Sequence, residues 1–242
     1  MESNFKVDLL FNAYNEIETI EEDLISITQL YKNNPNVKNI IVVEDGSSDG
    51  TTEKLKLLQH DLNILLNQSE KRRGYSNALI DGINSSTSDF VFFSDLGGKF
   101  NWDDINLLFE FLPQNDFVLG VRSNRNDQIY RRLLTYFYSL YIQIFYGVKS
   151  KDPDSGFRIY KKDLIDKILK SEIHNKHLLN SEFTIKCIKS GASYEEVKIN
   201  YIKRTGKSRG LPLKIIPKVI LSTIINSFKN RKKIKNIVND YE

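Results

Sequence analysis

The sequence predicts an α/β fold with a mostly parallel sheet that is flanked by helices on both faces. Short runs rich in Val, Ile, Leu and Phe alternate with longer segments whose apolar residues recur at helical spacing. This alternation is typical of βαβ units, whose parallel strands are buried on both faces. The chain has 242 residues, of which 40% are hydrophobic, so it can build one domain with a substantial core.

The elements follow from this alternation in chain order. Five apolar runs are predicted to be strands, namely Val7–Phe11, Asn39–Val43, Asn63–Leu66, Phe90–Phe93 and Phe117–Leu119. The segments between them have helical spacing and are predicted to be helices, namely Ile17–Tyr31, Thr51–Gln59, Tyr75–Asn84 and Asp103–Leu112. We predict one domain over residues 1–210 and a helical, basic C-terminal extension over residues 211–242.

Two helices predicted later in the chain have an unusual composition. Ile129–Tyr146 is crowded with aromatic residues, which suits either a membrane boundary or a partly buried packing helix. Pro212–Phe228 is largely apolar and is followed by a basic segment that includes Lys229, Arg231 and Lys233. Such a helix either lies in an anionic membrane interface or docks on the domain with a soluble tail after it.

Charge is unevenly distributed along the chain. From Lys203 onward there are 11 Lys or Arg against 2 Asp or Glu, which is +9, whereas the whole chain carries +4, so the first 202 residues carry −5. A basic tail on an acidic body suggests an anionic membrane surface as a partner, whereas a nucleic-acid partner is not expected.

The sequence shows neither the pattern of a secretory signal peptide nor a run of ~18 uncharged apolar residues that could span a bilayer. We therefore expect a cytoplasmic protein that is peripheral at the membrane face. The single cysteine, Cys187, excludes an internal disulfide.

Polar motifs follow the predicted strands at the edge where parallel sheets bind ligands. They are Ala13-Tyr14-Asn15-Glu16, Glu44-Asp45-Gly46-Ser47, Phe93-Ser94-Asp95-Leu96-Gly97-Gly98-Lys99-Phe100, Asp154-Ser155-Gly156-Phe157-Arg158 and Arg204-Thr205-Gly206-Lys207-Ser208-Arg209. In this order they resemble the motifs of family 2 glycosyltransferases, and most closely those of the dolichol-phosphate mannosyltransferases and polyprenyl-phosphate glycosyltransferases. The resemblance implies the GT-A (Rossmann-like) fold.

The first motifs are those that line the nucleotide pocket of this family. The resemblance therefore implies a donor site for a nucleoside diphosphate sugar, and the residues at matching or neighbouring positions are Asn12, Tyr14, Glu16, Glu44, Asp45, Arg73, Ser94 and Asp95. Their chemistry agrees with this role, since carboxylates accept hydrogen bonds from a base or a ribose and a tyrosine ring packs on a base. Taken alone, residues 45–49 also read as a simple turn before a helix.

The segment that begins at Phe93 departs from the family at the metal motif. Asp95 matches the first aspartate of the family's Asp-x-Asp, but Gly97 replaces the second and Lys99 replaces a glutamine. In the family this motif holds Mg²⁺ or Mn²⁺ against the donor diphosphate, with hard oxygen ligands. Three interpretations stay open: a weakened metal site at Asp95, a metal-independent site assisted by Lys99, or an inactive site.

Basic residues in the later motifs imply an acceptor that carries a phosphate. The resemblance assigns acceptor binding to Arg122 of the block Gly120-Val121-Arg122, to Arg131 of the pair Arg131-Arg132, and to Ser155, Arg158, Arg204 and Ser208. Guanidinium groups match phosphate oxygens, so these arginines would form a clamp. The residues expected to take part in the reaction are Asp95, Lys99, Arg122, Arg131 and Arg204.

The resemblance implies an inverting transfer of a sugar from a nucleoside diphosphate to a polyprenyl phosphate. Such an acceptor is already anionic and needs no strong general base. A glycan or lipid hydroxyl as the acceptor would need a carboxylate base, for which Asp152, Asp154 and Glu182 are candidates. The third alternative is a catalytically inactive protein that binds nucleotides or lipid phosphates.

Overall fold

The computed structural model describes residues 5–123, 129–171, 173, 178–202 and 216–239, except for the side chains of 129, 131 and 229–239. The strands are β1 (Val7–Ala13), β2 (Val37–Glu44), β3 (Leu65–Gln68), β4 (Phe90–Asp95), β5 (Phe117–Ser123), β6 (Arg158–Lys161) and β7 (Tyr194–Asn200). The helices are α1 (Ile20–Tyr31), α2 (Thr51–Asp61), α3 (Tyr75–Ser85), α4 (Asp104–Phe109), α5 (Ile129–Tyr146), α6 (Lys162–Lys170), α7 (Leu179–Lys189) and α8 (Ile216–Asn239).

The described strands form one sheet in the order β3-β2-β1-β4-β6-β5-β7. Every neighbouring pair is parallel except those of β6, which runs antiparallel to both β4 and β5. The predicted mostly parallel α/β sheet is therefore confirmed. The reversed strand β6 was not predicted, because its four residues are too few to show a period.

The core forms two layers, one on each face of the sheet. Successive strand residues point to opposite faces, so Leu9 and Phe11 pack in one layer while Leu10 packs in the other. The same alternation places Phe92 with the first layer and Phe93 with the second. Strands buried on both faces explain why the sequence shows continuous apolar runs here rather than alternation.

The long helix α8 docks on the domain through a side that includes small polar residues. It packs against α7, and its buried positions include the small polar residues Thr223 and Ser227. Ile225 and Phe228 of the same helix remain largely exposed, although the Phe228 ring contacts Phe145 of α5 at 5.1 Å between centroids. Among the described residues, no helix combines the length and apolar character that crossing a bilayer requires.

Candidate functional site

The carboxyl ends of the central strands bring the predicted motifs to one edge of the sheet. Asn12 of β1 is the register partner of Asp95 of β4, and Ala13 is the partner of Glu44 at the end of β2. Because β6 is reversed, it begins at this edge, where Arg158 pairs with Phe93. The loop before β6 therefore lies next to the ends of β4 and β5.

Two buried acceptor atoms on β1 and β2 have no hydrogen-bond donor among the described residues. They are Asn12 Oδ1 and Glu44 Oε2. The other Glu44 oxygen, Oε1, accepts a hydrogen bond from the Ser47 N–H at 2.6 Å. Because an unsatisfied buried acceptor is costly, these two oxygens are candidates to accept hydrogen bonds from a bound molecule.

Asp45 and Arg73 have structural partners. Asp45 is buried, and its carboxylate accepts from the backbone N–H groups of Arg73 at 2.6 Å and Gly74 at 3.1 Å. Arg73 itself forms an ion pair with Asp81 at 2.7 Å. These two predicted donor residues thus hold the loop that leads into α3, and in this structure their charges are directed at the protein.

Tyr14 and Glu16 extend the edge beyond β1. The guanidinium carbon of Arg72 lies 4.2 Å from the Tyr14 ring centroid, so a cation covers one face of this ring. Glu16 is buried, and its backbone N–H donates to Thr51 Oγ1 at 2.8 Å. Its carboxylate reaches toward the loop that follows β4.

Asp95 is the most central acidic group of the edge. Lys99 Nζ lies 3.6 Å from Asp95 Oδ2, and both side chains are partly exposed, at 23% for Lys99 and 33% for Asp95. The predicted lysine therefore points to the motif aspartate. A β-carbon placed on Gly156 would lie 3.7 Å from Asp95 Oδ2, so the loop before β6 passes directly beside this carboxylate.

Two further side chains, Tyr75 and Asn180, complete the surroundings of Asp95. Asn180 Nδ2 donates to the Tyr75 hydroxyl at 3.0 Å, which joins the start of α3 to the start of α7. Burial and the charge of Asp95 raise the pKa of Tyr75, so its hydroxyl stays protonated. No sequence signal marked Asn180, because it lies in a helix that the pattern did not reveal.

The loop after β4 is fixed by a buried aspartate that the sequence analysis missed. Asp23 Oδ2 accepts from the backbone N–H groups of Gly97 at 2.8 Å and Gly98 at 3.0 Å. Its other oxygen, Oδ1, accepts from Trp102 Nε1 at 2.9 Å. In sequence Asp23 reads as an ordinary acidic residue in the first turn of α1, which explains why it was overlooked.

Gly97 occupies a position that does not easily accept an aspartate. Its φ is +116°, a conformation that residues with a side chain rarely adopt. A β-carbon added there would lie 2.8 Å from Glu16 Oε2, which is too close for a real contact. An aspartate at residue 97 would thus have to adopt a strained backbone conformation and displace the Glu16 carboxylate, which follows β1.

The described residues do not fit a divalent metal site held by the protein alone. Among them, no group of three or more His, Cys, Asp or Glu side chains is arranged to hold a metal ion. The motif aspartate, Asp95, has the ammonium of Lys99 as its neighbour, and the second motif carboxylate is absent. Hard cations such as Mg²⁺ and Mn²⁺ need several oxygen ligands, and a nearby ammonium repels them.

Among the residues predicted to bind the acceptor, Arg122 is held by Asp152. Its Nε and Nη2 donate to the two carboxylate oxygens at 2.7 Å each, which is a bidentate pair. Burial lowers the pKa of Arg122, but the charge of Asp152 more than offsets this and raises it above its usual value. The pair is neutral overall, so Arg122 offers directed donors at the end of β5 rather than net positive charge.

Three of the predicted binding residues are buried in the protein. Arg158 is 0% exposed, and its guanidinium donates to the carbonyls of Asn180, Pro153 and Ser155. Ser155 is also fully buried. In this structure, Arg158 supports the loop before β6 through these hydrogen bonds, so its contact with an acceptor stays a prediction, as does that of Ser155. Ser94 is 2% exposed, and strand alternation directs its side chain to the opposite face from Asp95.

Asp154 is the carboxylate of this loop with the most altered acidity. Burial raises the pKa of Asp154 to about 6, although the charges of Arg122 and Arg158 oppose the shift. Ser181 Oγ donates to Asp154 Oδ1 at 3.0 Å, and Ser181 also hydrogen-bonds the Tyr138 hydroxyl of α5. The loop before β6, the start of α7 and the aromatic helix α5 thus meet at Asp154.

The remaining predicted acceptor residues lie outside the description. Arg204 and Ser208 are not among the described residues, and neither is the side chain of Arg131, although its backbone lies in α5. Glu182, a candidate base, is buried and forms an ion pair with Lys186 at 2.8 Å. The candidate bases Asp152 and Glu182 are both buried and held in salt bridges, with Arg122 and Lys186 respectively. Asp154 is partly exposed and forms no such salt bridge with another described residue.

Comparison with known proteins identifies the family. The family described as Glycosyl transferase family 2 matches residues 10–169 of the sequence. The chain belongs to glycosyl transferase family 2. Among curated proteins, it is similar to the undecaprenyl-phosphate 4-deoxy-4-formamido-L-arabinose transferases of Yersinia pestis (strain Pestoides F) and Yersinia pseudotuberculosis. The identity is 28% over 170 residues, which cover 68% of this chain and 51% of each relative. The chain thus spans about half the length of these curated relatives.

Solved structures of related enzymes share the fold. Glucosyl-3-phosphoglycerate synthase from Mycobacterium tuberculosis, in complex with Mn²⁺, UDP and phosphoglyceric acid, has a TM-score of 0.70 and 16% identity. The match covers 93% of this family 2 chain and 80% of that structure. Mannosyl-3-phosphoglycerate synthase from Rubrobacter xylanophilus has a TM-score of 0.65 and 14% identity, over 96% of this chain and 76% of that structure. The predicted GT-A fold is confirmed by these similarities.

Proposed function

We propose that this family 2 protein transfers a sugar, with inversion, from a nucleoside diphosphate to a polyprenyl phosphate at a membrane surface. The donor would lie over the ends of β1, β2 and β4, where Asn12, Glu44 and Asp95 present acceptor oxygens. The acceptor phosphate would lie toward Arg122 at the end of β5. The curated relatives, whose names state transfer to undecaprenyl phosphate, support this choice of acceptor.

The observation that carries the lipid acceptor is the position of α5. Its inner side reaches the site, because the Tyr138 hydroxyl shares Ser181 with Asp154. Its outer side is exposed and apolar, with Tyr136 at 64%, Phe137 at 59% and Ile144 at 77%. One helix therefore links a polar site to an apolar surface, as an acceptor with a phosphate head and a hydrocarbon chain requires.

The helix α8 extends the same apolar surface. Its exposed residues Ile220, Leu221, Ile224, Ile225 and Phe228 continue from α5 through the contact between Phe145 and Phe228. The sequence of α8 then becomes basic. An apolar face with a basic flank favours the interface of an anionic bilayer as its occupant.

The membrane contact can be tested without removing any part of the chain. The double variant Ile224→Ser, Ile225→Ser should bind less to vesicles of phosphatidylglycerol and phosphatidylcholine, measured by co-sedimentation. The matched control is Leu57→Ser, because Leu57 of α2 is 72% exposed but lies on another element. Wild-type protein that does not sediment with these vesicles would contradict the membrane proposal.

The chemistry fits an acceptor that is already ionised. A phosphate monoester carries its nucleophilic oxygen as an anion at neutral pH, so the site has to position two phosphates and offset their repulsion. Arg122, fixed by Asp152, supplies directed donors for this purpose. No step of the transfer is assigned to a divalent cation, because the described residues do not fit one.

Turnover tests the proposal directly. The protein is incubated in detergent with a UDP- or GDP-sugar from a panel and with undecaprenyl phosphate or dolichyl phosphate. The lipid product is then separated and identified by mass spectrometry. We expect a sugar-phosphate lipid with one donor, and loss of the product in Asp95→Asn. Transfer only to a hydroxyl acceptor would reject the lipid phosphate, and the absence of any transfer would favour a binding protein.

The second candidate function is transfer to a hydroxyl. The specific observation in its favour is Asp154, whose pKa of about 6 lets it accept a proton near neutral pH. Under this alternative, Asp154→Asn would abolish transfer, because a hydroxyl needs a base. Under the proposed function, the same variant would retain much of its activity, so one variant separates the two acceptors.

A further inference from the structure

We infer that Lys99 takes the place of the divalent cation at the donor diphosphate, so that this chain binds its donor without a metal. The inference rests on the proposed function, because it concerns the same donor site. Among the alternatives that the sequence left open, it is the one favoured by the geometry of Asp95, Gly97 and Lys99. It identifies a residue for donor binding and predicts how the site responds to cations.

The first argument is the position of the lysine. Lys99 Nζ lies 3.6 Å from Asp95 Oδ2, and its side chain is 23% exposed, so the ammonium sits at the motif aspartate rather than in bulk solvent. The backbone carbonyl of Lys99 accepts from the Ile202 N–H at 2.8 Å, which anchors the residue to the chain after β7. A lysine ammonium binds phosphate well as a point charge.

The second argument is the space at Gly97. The Glu16 carboxylate lies where a side chain at residue 97 would begin, with Oε2 at 2.8 Å from the position of the missing β-carbon. Gly97 also has a φ of +116°, which disfavours any side chain. The backbone conformation of Gly97 and the present position of the Glu16 carboxylate both disfavour an aspartate here, although the flexible glutamate side chain could move.

The third argument is that the loop cannot easily rearrange. Asp23 accepts hydrogen bonds from Gly97, Gly98 and Trp102 at 2.8, 3.0 and 2.9 Å. These bonds fix the backbone on the N-terminal side of Lys99, while Trp102 is held on its C-terminal side. The lysine is thus presented on a loop with a defined conformation, which lowers the entropic cost of its use in binding.

Electrostatics then decides between a lysine and a metal. An ammonium next to Asp95 satisfies this carboxylate and repels a divalent ion that approaches it. A donor diphosphate brings negative charge to the same place, where a single carboxylate without a cation would repel it. Lys99 removes that repulsion with a charge that is always present, whereas a metal would first have to be captured.

Donor binding in a chelator tests the inference. UDP, GDP, CDP and ADP are titrated by calorimetry into wild-type protein in the presence of EDTA, and then in the presence of Mn²⁺. We expect one nucleotide to bind in EDTA, with little gain from Mn²⁺. Lys99→Gln should weaken this binding roughly 10- to 100-fold, the range expected for the loss of one charged partner. Lys99→Arg should retain most of it, because it retains the charge.

The control variant is Lys32→Gln, which removes an exposed lysine at the end of α1 and should leave binding unchanged. Thermal melting of each variant checks that it is folded. Binding of a nucleotide only with Mn²⁺, or unchanged affinity in Lys99→Gln, would overturn the inference and leave the proposed function standing. If none of the four nucleotides binds with or without Mn²⁺, the proposed function fails as well.

Discussion

The donor side and the acceptor side of the site differ in how their polar groups are satisfied. On the donor side, Asn12 Oδ1 and Glu44 Oε2 are buried acceptors without a donor among the described residues. On the acceptor side, Arg122 is matched by Asp152 and the Nη donors of Arg158 reach carbonyls and hydroxyls. The proposed donor side thus has unused acceptor oxygens for a ligand, whereas on the proposed acceptor side the paired groups dominate, although Arg158 Nε and Asn180 Oδ1 have no partner among the described residues.

Because of this difference, substitutions on the two sides should change different properties of the protein. A satisfied network is rigid and contributes to stability, whereas unsatisfied groups cost stability and favour a ligand that satisfies them. We therefore expect substitutions on the acceptor side to act mainly on stability. Substitutions on the donor side should act mainly on nucleotide affinity.

The largest effect is expected for Arg158. Arg158→Met should lower the free energy of unfolding by about 3–5 kcal/mol, because buried carbonyls lose their donors and the hydroxyl of Tyr160 loses its partner. Urea unfolding followed by circular dichroism measures this change. Arg72→Met, which removes an exposed arginine, is the control. A loss below about 1 kcal/mol, as for an ordinary surface residue, would show that the acceptor side is not held together by Arg158.

A smaller effect is expected for Asp23, which supports the donor side. Asp23→Ala leaves two backbone N–H groups and one indole N–H without their acceptor, so we expect a loss of about 2–3 kcal/mol. Because the loop also carries Lys99, the same variant should lower nucleotide affinity. Glu22→Ala, an exposed neighbour on α1, should change neither quantity. If Asp23→Ala is destabilised but binds nucleotide with normal affinity, the loop after β4 does not contribute to the donor site.

Asp154 provides a pH-dependent prediction. Its pKa in the folded protein is raised from 3.8 to about 6, so between these values the unfolded chain has lost a proton that the folded chain keeps. Stability therefore falls as the pH rises from about 4 to 6, and Asp154→Asn removes this fall. The shift corresponds to at most about 3 kcal/mol, and partial exposure reduces the expected value to about 1–2 kcal/mol.

Urea unfolding of the wild type and Asp154→Asn at pH 4.5 and pH 7.5 measures this contribution. The stability of the wild type relative to the variant should be lower at the higher pH. The charged or titratable groups near Asp154 include Arg122, Arg158, Asp152, Tyr75 and Tyr138, and none of them changes in the variant. A stability difference that is constant with pH would show that the carboxyl is not buried as described.

The sequence predicted the architecture better than the contacts within the site. Strand runs such as Val7–Phe11 were found because burial on both faces makes them continuous and apolar, and the observed β1 is Val7–Ala13. The motifs also placed Asp95 and Lys99 at the correct edge. In contrast, β6 and β7 escaped notice, since one is too short and the other is largely polar, and α7 has no clear apolar stripe.

The directions of the side chains within the site could not be predicted, for a common physical reason. A motif gives the residue type but not the direction in which its side chain points. Arg158 and Ser94 were expected to meet ligands, yet the strand alternation turns both into the protein. Asp23 was overlooked because its partners are 74 to 79 residues away in sequence, and no local pattern can show such contacts.

The smallest effect is expected where the donor side is already covered, at Tyr14. Arg72 lies over this ring at 4.2 Å, and an exposed cation–π contact contributes about 0.5–1 kcal/mol. If a nucleotide base is to pack on the same face, Arg72 has to leave it first. Arg72→Ala should then lower stability only slightly and raise nucleotide affinity by roughly two- to fivefold, which is that energy expressed as an equilibrium constant.

Two further variants, both at Tyr14, distinguish the role of its ring from that of the Arg72 charge. Tyr14→Phe keeps the ring and should bind nucleotide as the wild type does, whereas Tyr14→Ala should bind more weakly and should no longer respond to the loss of Arg72. Calorimetry on the four single and double variants gives the coupling between residues 14 and 72. A weaker affinity in Arg72→Ala would mean that this arginine binds the nucleotide itself. The ligand-free protein would then already hold a nucleotide-binding group in place on the donor side, in addition to the unsatisfied oxygens of Asn12 and Glu44.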